Sequence, residues 1–255
     1  MKKRTQNRFQ KPLWFDELDS TNTYLKEKIS SGLLSCPAGA VAAAKRQLKG
    51  RGRKERVWNS IEGENLTFSF ASKIRDERRD ISGITLAAGV AVCEALRGMG
   101  IERAEIKWPN DILCGGKKIC GILCETADFA GQTLAVCGIG LNVNMTDSQL
   151  AKIDKPASSV YLETGICYRP EDILNTILEK MSSWLEIWLN EGFSGIKKRW
   201  EELAFGKGLE IEITENGQAV QTGIFRGISN EGALVLERRD NKIEKIYTGD
   251  VNWKI

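Results

Sequence analysis

Histidine is absent from this chain of 255 residues. Its absence excludes Ser-His-Asp and Cys-His mechanisms of nucleophilic catalysis, because both use an imidazole as the general base. A zinc site would therefore need thiolates alone, yet the seven cysteines form no Cys-x-x-Cys pair and Cys114, Cys120 and Cys124 lack the spacing of known zinc ribbons. We interpret the cysteines as reduced structural thiols, which favours a cytoplasmic protein.

The sequence also lacks a membrane-spanning run and a strong excess of one charge. Its longest apolar stretch, at 84–96, is too short to cross a bilayer and predicts a buried helix. The first residues, MKKRTQNRFQKP, are basic and polar without an apolar stretch behind them, so no secretory signal is expected. A net charge of +3 does not by itself define a nucleic-acid binder. We expect a globular protein without membrane contact.

Positive charge is instead concentrated in one loop, KGRGRKERVW at 49–58. It is predicted to join two strands, at 39–47 and 65–72. Gly50 and Gly52 let the backbone approach a ligand closely, and arginine forks suit phosphate oxygens. The loop meets neither the Rossmann nor the Walker pattern, because a third glycine is missing and a strand follows instead of a helix. Charge alone does not distinguish an anion site from a solvated loop.

A hairpin is predicted over residues 104–126, turning at Gly115-Gly116. Strand alternation would place Lys118 on the same face as Cys120, Ile122 and Cys124. A lysine on an apolar face is costly unless an anion meets it. A lysine that only ends the strand at the surface is the alternative, and the pattern leaves both open.

Helices are predicted from a cap at Ser20 or Thr21, from a cap at Ser82, and from Pro170. After residue 207 the pattern changes to four short alternating strands separated by polar turns, which is typical of a small β-barrel. The sequence therefore predicts an α+β protein with two domains, at 1–206 and 207–255.

Five short motifs then occur in a fixed order. They are DSTN at 19–22, KGRGR at 49–53, KWPNDI at 107–112, GKKICGIL at 116–123 and GIGLNVN at 138–144. In this order they resemble the successive motifs of biotin protein ligases, and the resemblance runs from about residue 14 to the C-terminus. The pair of GRGR and KWPND is highly specific. No helix-turn-helix segment precedes the motifs in this sequence, so the resemblance is to the short, ligase-only group, and no DNA partner is expected.

The resemblance implies a mixed β-sheet flanked by helices, as in class II synthetases, followed by an SH3-like β-barrel. It also implies a reaction that needs ATP and Mg²⁺. The carboxylate of biotin attacks the α-phosphate of ATP, which releases pyrophosphate and forms biotinyl-5′-AMP. A lysine amine of a biotin carboxyl carrier domain then attacks this mixed anhydride. Cations would neutralise the carboxylate and the phosphates, and the basic loop would exclude water.

The same resemblance implies roles for individual residues. Arg53 and Lys118 would be the catalytic pair, and Asp111 would either hold magnesium or orient the acceptor lysine. The expected biotin site comprises Ser20, Thr21, Asn22, Gln47, Gly50, Arg51, Gly52, Arg53, Lys118 and Gly121. The expected ATP and adenylate site comprises Arg51, Arg53, Trp58, which would stack on adenine, and Asn142. Glu55 departs from the family pattern, in which a glycine is common, and we expect its side chain to point outward.

Two other functions remain open from the sequence. A lipoyl or octanoyl ligase or transferase would share the fold and similar acyl-adenylate chemistry, but GRGR with KWPND favours biotin. A non-catalytic regulator or RNA-binding module could use the basic N-terminus and the barrel. An exposed edge strand would favour pairing of two copies, so both a monomer and a homodimer are open.

Overall fold

The computed structural model describes residues 9–74, 77–215 and 217–253, so most of the basic N-terminal segment lies outside the described residues. A seven-stranded mixed sheet runs in the order β1-β2-β3-β7-β6-β5-β4. Its strands are β1 Leu13–Leu18, β2 Val41–Gln47, β3 Asn65–Lys73, β4 Ala104–Lys107, β5 Asp111–Cys114, β6 Lys117–Phe129 and β7 Gln132–Asn142. β1 and β2 are parallel, while the other neighbours are antiparallel. This confirms the predicted mixed sheet.

Six α-helices accompany the sheet in the described ranges. They are α1 Thr21–Ser30, α2 Glu77–Gly98, α3 Asp147–Leu150, α4 Val160–Thr164, α5 Pro170–Glu191 and α6 Phe193–Glu202. α1 starts as predicted, with Ser20 as its N-cap, and α5 starts at Pro170. The predicted start of α2 at Ser82 is wrong, because the helix already begins at Glu77. Ser82 is exposed within the helix, where it is tolerated without acting as a cap.

The two faces of the sheet are covered differently. Along β3, Leu66, Phe68 and Phe70 belong to the main hydrophobic core, which also contains apolar side chains of α2 and α5. The alternate polar residues of the same strand, Asn65 and Thr67 among them, therefore lie on the opposite face. α1 covers part of that second face through a smaller cluster. The rest of the second face borders a cavity.

α2 is long and apolar enough to pass a length-and-hydropathy test for a membrane span over Ile81–Gly98, with a mean hydropathy of 1.3. However, 67% of that stretch is buried within the protein. A buried core helix can be as apolar as a membrane span and can pass the same test. The predicted burial of this helix is confirmed.

A second sheet lies near the C-terminal end of the chain. It contains five antiparallel strands in the order β11-β10-β9-β8-β12. They are β8 Glu210–Glu215, β9 Gln218–Ile228, β10 Leu234–Glu237, β11 Ile243–Ile246 and β12 Asp250–Trp253. The sequence predicted four strands, and the short β12 was missed. The meander agrees with the predicted SH3-like barrel, and β12 lies beside the cavity of the large sheet.

Candidate active site

A cavity of about 790 Å³ lies over the uncovered part of the large sheet. Its walls come from the basic loop, the segment at 152–157 and the C-terminal strand β12. All but one of the predicted site residues line it: Ser20, Thr21, Asn22, Gln47, Arg51, Gly52, Arg53, Trp58, Asp111, Lys118, Gly121 and Asn142. The exception is Gly50, which lies behind Trp58 and accepts a hydrogen bond from its backbone N–H at 2.9 Å. Segments distant in sequence therefore meet in one cleft.

The floor of the cavity is built from glycines on adjacent strands. Gly121 of β6 lies directly opposite Gly140 of β7, and Gly138 is two residues further along the same face. A methyl group at Gly140 would overlap the Trp58 indole, and one at Gly138 would overlap the Asn22 amide. These positions have no side chain because another residue rests directly on the backbone. The indole N–H of Trp58 is buried and has no hydrogen-bond partner among the described residues.

Lys118 reaches the cavity because of a β-bulge. The register of β5 and β6 pairs Ile112 with Cys120 but Leu113 with Lys118, so Ile119 is an extra residue. Lys118 consequently lies on the face of Gly121, and its amine would be 3.0 Å from a Cβ at that glycine. The prediction that Lys118 shares a face with Cys120 and Ile122 is wrong, because one inserted residue reverses the alternation. Cys120 and Ile119 are instead fully buried in the core.

Arg53 and Lys118 are held by two consecutive residues of the KWPND motif. The Arg53 guanidinium donates to Asn110 Oδ1 at 3.1 Å, and the Lys118 amine lies 2.7 Å from Asp111 Oδ1. The second contact is a close ion pair without hydrogen-bond geometry, and Oδ1 has no hydrogen-bond partner within residues 9–74, 77–215 and 217–253. Asn110 is itself fixed, because it donates to the Ile122 carbonyl at 2.8 Å. Burial lowers the pKa of Arg53 from its ordinary value, although a guanidinium stays charged at neutral pH.

Arg51 occupies a different part of the cavity wall. Its guanidinium contacts Glu125 at 3.3 Å, and Lys26 contacts the same carboxylate at 2.9 Å. Asn22 also donates to Glu125, at 2.8 Å. Burial would raise the pKa of Glu125, but the hydrogen bonds from Lys26 and Asn22 and the charges of Lys26 and Arg51 lower it below its ordinary value. Arg51 is thus paired with Glu125, while Arg53 and Lys118 contact the KWPND motif.

A buried polar network forms the end of the cavity at the start of α1. Gln47 Oε1 accepts from the Thr21 backbone N–H at 2.7 Å and from the Thr21 hydroxyl at 3.1 Å. The Ser69 hydroxyl lies 2.6 Å from the Thr21 hydroxyl and donates to Asn22 Oδ1 at 2.6 Å. Ser20 accepts from the Thr23 N–H at 3.5 Å as the cap of the helix. This end offers hydroxyl and amide groups, which suit a neutral polar ligand group.

Asn142 lines the cavity but already uses its amide within the protein. Its nitrogen donates to the Ser158 carbonyl at 2.9 Å, and its oxygen accepts from Asn65 at 3.1 Å. Glu55 is exposed, as expected for a side chain that points outward. Its backbone adopts φ of 57°, a left-handed conformation in which glycine is favoured. This explains why glycine would suit the position.

Several residues that complete the cleft were not predicted from the sequence. Glu125 could have been found, because it continues the alternation of Gly121 and Leu123 on the cleft face. Lys107, whose pKa burial lowers, contacts the Trp253 ring at 5.0 Å. Trp253 and Asp250 come from β12, and no local pattern indicates that this strand meets the large sheet.

Comparisons with known proteins show the family of this chain. The family model for the biotin/lipoate A/B protein ligase family matches residues 14–144, and that for the biotin protein ligase C terminal domain matches residues 208–252. The bifunctional ligase/repressor BirA of Bacillus subtilis is 32% identical over 94% of this chain and 73% of its own length. The biotin--[acetyl-CoA-carboxylase] ligase of Paracoccus denitrificans is 32% identical over 86% of this chain and 90% of its own.

Solved structures are also similar to this chain. The biotin protein ligase from Aquifex aeolicus in complex with biotin and ATP superimposes with a TM-score of 0.80 and 28% identity, covering 96% of this chain and 99% of that one. The chain therefore belongs to the biotin/lipoate A/B protein ligase family. Within that family it is a biotin–protein ligase, as the resemblance implied.

Proposed function

We propose that the cleft activates biotin to biotinyl-5′-AMP with ATP and then transfers biotin to a lysine of a biotin carboxyl carrier domain. The observation that carries this is the placement of Arg53 and Lys118 beside one glycine-floored cavity, each held by a neighbouring residue of the KWPND motif. The carboxylate of biotin and the triphosphate of ATP repel each other. Two fixed cations between them reduce that repulsion and stabilise the charge that develops in the transition state.

In the first step a biotin carboxylate oxygen forms a bond to the α-phosphorus, and the bond from that phosphorus to pyrophosphate breaks. We assign Lys118 to the carboxylate and acyl-phosphate oxygens and Arg53 to the α-phosphate. In the second step the acceptor amine forms a C–N bond to the acyl carbon, the anhydride C–O bond breaks, AMP leaves and the nitrogen loses a proton. Asp111 would hold the Lys118 amine over Gly121.

We assign the remaining predicted residues by their position in the cavity. Ser20, Thr21, Asn22 and Gln47 form the polar end and would bind the ureido group of biotin by hydrogen bonds. Gly52 and Gly121 would let the ligand lie against the backbone. Gly50 would contribute indirectly, because its carbonyl accepts the Trp58 backbone N–H and so fixes the position of the indole. Trp58 would stack on adenine through its free face. Asn142 would support the nucleotide-binding end of the cavity through its hydrogen bond to the Ser158 carbonyl. Arg51 would help to close the basic loop through its contact with Glu125.

The residues do not fit a dedicated magnesium site. No group of three carboxylate, cysteine or histidine side chains that could hold a metal occurs in the described ranges, and Asp111 is already neutralised by Lys118. Mg²⁺ commonly binds through substrate phosphates with few protein ligands. We propose that Mg²⁺ arrives with ATP, so Asp111 serves an amine instead of the metal. Seven free cysteines support a cytoplasmic location.

Biotin-dependent exchange of labelled pyrophosphate into ATP tests the proposal. Arg53→Ala and Lys118→Ala should each reduce exchange by about 10²–10³-fold, the usual effect of removing one transition-state donor. Matched controls are Lys117→Ala, the exposed neighbour in β6, and Arg46→Ala, an exposed arginine paired with Glu17. Both controls should keep wild-type exchange.

The acceptor and the acyl substrate are tested with the wild-type protein. A carrier domain with an exposed Met-Lys-Met turn should be labelled when biotin and Mg·ATP are supplied. Labelling with lipoate and none with biotin would instead indicate a lipoyl ligase. Nucleic-acid binding with no exchange activity would indicate a non-catalytic module.

A further inference from the structure

Asp250 of the C-terminal sheet contacts the basic loop across the cavity. Its carboxylate is 2.5 Å from Arg56 Nη2 and 3.3 Å from Lys54 Nζ. The Asp250 side chain is 23% exposed, while its partners Arg56 and Lys54 are 50% and 37% exposed, so the pairs lie at the edge of the cavity and are open to screening by salt. Burial would raise the pKa of Asp250, but the Arg56 charge and the hydrogen bonds from Lys54 and Arg56 lower it below its ordinary value. The carboxylate is therefore ionised at neutral pH.

The loop needs such support because its backbone is unfavourable. Lys54 and Glu55 both have left-handed φ values, of 54° and 57°. Each costs roughly 1–2 kcal/mol for a residue with a side chain, and the loop carries several like charges. Within the loop, the Gly52 N–H donates to the Arg56 carbonyl at 2.7 Å, and Arg51 pairs with Glu125 at the start of the loop. The ion pairs with Asp250 bind the tip of the loop to the C-terminal sheet.

Arg53 contacts both the large sheet and the C-terminal sheet. One guanidinium nitrogen donates to Asn110 of the large sheet at 3.1 Å, and the other donates to the Gly249 carbonyl at 3.5 Å. Gly249 precedes Asp250 in the chain. The same short segment of the C-terminal sheet thus holds the loop tip and the side chain that we assign to the α-phosphate.

We propose that Asp250 is a positioning residue that keeps the loop at 50–58 closed over the cavity and so retains biotinyl-5′-AMP until the acceptor lysine arrives. The proposal rests on the function assigned above. Asp250 acts through Arg53, Lys54 and Arg56 and is not assigned any contact with the reacting atoms.

Asp250 is not needed to attach the C-terminal sheet to the rest of the protein. That attachment has its own contacts, because Trp200 packs edge-on against Phe225 with ring centroids 6.5 Å apart. The Trp108 indole also donates to the Gly232 carbonyl at 3.3 Å. Loss of one carboxylate should therefore free the loop while the two sheets stay together.

The test compares Asp250→Asn with two matched variants. Asp250→Glu keeps the charge, and Asp240→Asn removes an exposed carboxylate in the turn between β10 and β11 that pairs with the neighbouring Lys242. Limited trypsin digestion, with cut sites assigned by mass spectrometry, measures opening of the loop at Arg51, Arg53, Lys54 and Arg56. Filtration after incubation with biotin and Mg·ATP measures the biotinyl-5′-AMP that escapes.

We expect D250N to be cut in the loop about fivefold faster than wild type and to release adenylate about fivefold faster, the effect of losing ~1 kcal/mol. D250E and D240N should match wild type in both measurements. Sodium chloride at 0.5 M should accelerate loop cutting more in wild type than in D250N, in which only the Arg51–Glu125 pair of the loop described above is left to screen, with cutting elsewhere as the internal reference.

The proposal is overturned if D250N is cut no faster than D240N, or if the loop opens while adenylate release stays unchanged. If the wild-type protein forms no adenylate, the proposed function fails, and the digestion still decides whether Asp250 holds the loop. If D250N does not fold, K54Q/R56Q removes the same ion pairs from the loop side. Adenylate release is then the deciding measurement, and an unchanged rate would overturn the proposal.

Discussion

Gly121, Gly138 and Gly140 form the floor of the cavity without side chains of their own. Their role could not be predicted beyond Gly121, because the sequence shows only that two glycines alternate in β7. What they accommodate depends on residues far along the chain, namely Asn22 and Trp58. Lys118 shows the same limit at a single residue. Its importance follows from the motif, while its direction follows from a bulge that local alternation does not reveal.

A substitution at the glycine floor tests the position of Trp58. Gly140→Ala places a methyl group inside the space of the indole, so the ring must move away from the floor. We expect the increase in melting temperature caused by biotin with Mg·ATP to fall, because binding affinity and ligand-induced stabilisation are linked. A differential scanning measurement with and without ligands checks this.

Gly98→Ala is the matched control for that prediction. Gly98 ends α2 and has no atom near the position of a Cβ. Its ligand-induced increase in melting temperature should equal that of the wild type. An unchanged increase in Gly140→Ala would show that the indole is not held as described.

Among the elements, regular patterns predicted more than irregular ones. The alternation of NLTFSFAS predicted β3, and Gly115-Gly116 predicted the hairpin turn, which has φ values of 54° and 80°. The start of α2 was missed because its first turn is charged and lacks an apolar pattern. β12 was missed because its sequence, DVNW, contains Asp and Asn, which are depleted in strands. Periodic apolar segments are therefore predictable, while polar strands and charged first turns depend on tertiary contacts.

The packing of the two long helices supplies a prediction at this scale. Gly83 of α2 faces Trp188 of α5, and a methyl group there would overlap the indole. Trp188 is 5% exposed and cannot move outward without losing its core contacts. We expect Gly83→Ala to destabilise the protein by about 1–3 kcal/mol, the usual effect of overpacking.

Urea unfolding measures that change. Gly98→Ala again serves as the control, because it adds the same methyl group to the same helix where the space is open. Equal unfolding midpoints for the two variants would contradict the described packing of α2 and α5.

At the scale of the whole molecule, the two sheets share one hydrophobic core. The main cluster includes Trp200 and Ile106 from the N-terminal part and Ile213, Phe225 and Val251 from the C-terminal sheet. The sequence predicted two domains, at 1–206 and 207–255, from a change in pattern. A change in pattern marks a change of architecture, but it does not show whether the two parts fold separately.

We therefore predict that the full chain unfolds in one transition and that a fragment of residues 1–206 is much less stable. Removal of the C-terminal sheet exposes Trp200, which is fully buried, and Trp108. Losing two such contacts costs on the order of 3 kcal/mol or more, which lowers the melting temperature by about 10 °C or more. Calorimetry of the full chain and of the fragment measures the two melting temperatures. A fragment that melts with the full chain would show that the two parts are independent.

The extra residue in β6 decides which face of the sheet receives a charge. Between Lys118 and Gly121 the strand contains one residue more than its partner needs, and both Ile119 and Cys120 are buried in the core. In a regular strand of the same sequence Lys118 would lie on the core face with Cys120, where an unpaired amine is costly. A change that straightens the bulge and keeps every residue would therefore remove the amine from the chemistry, although no side chain of the cleft had been replaced.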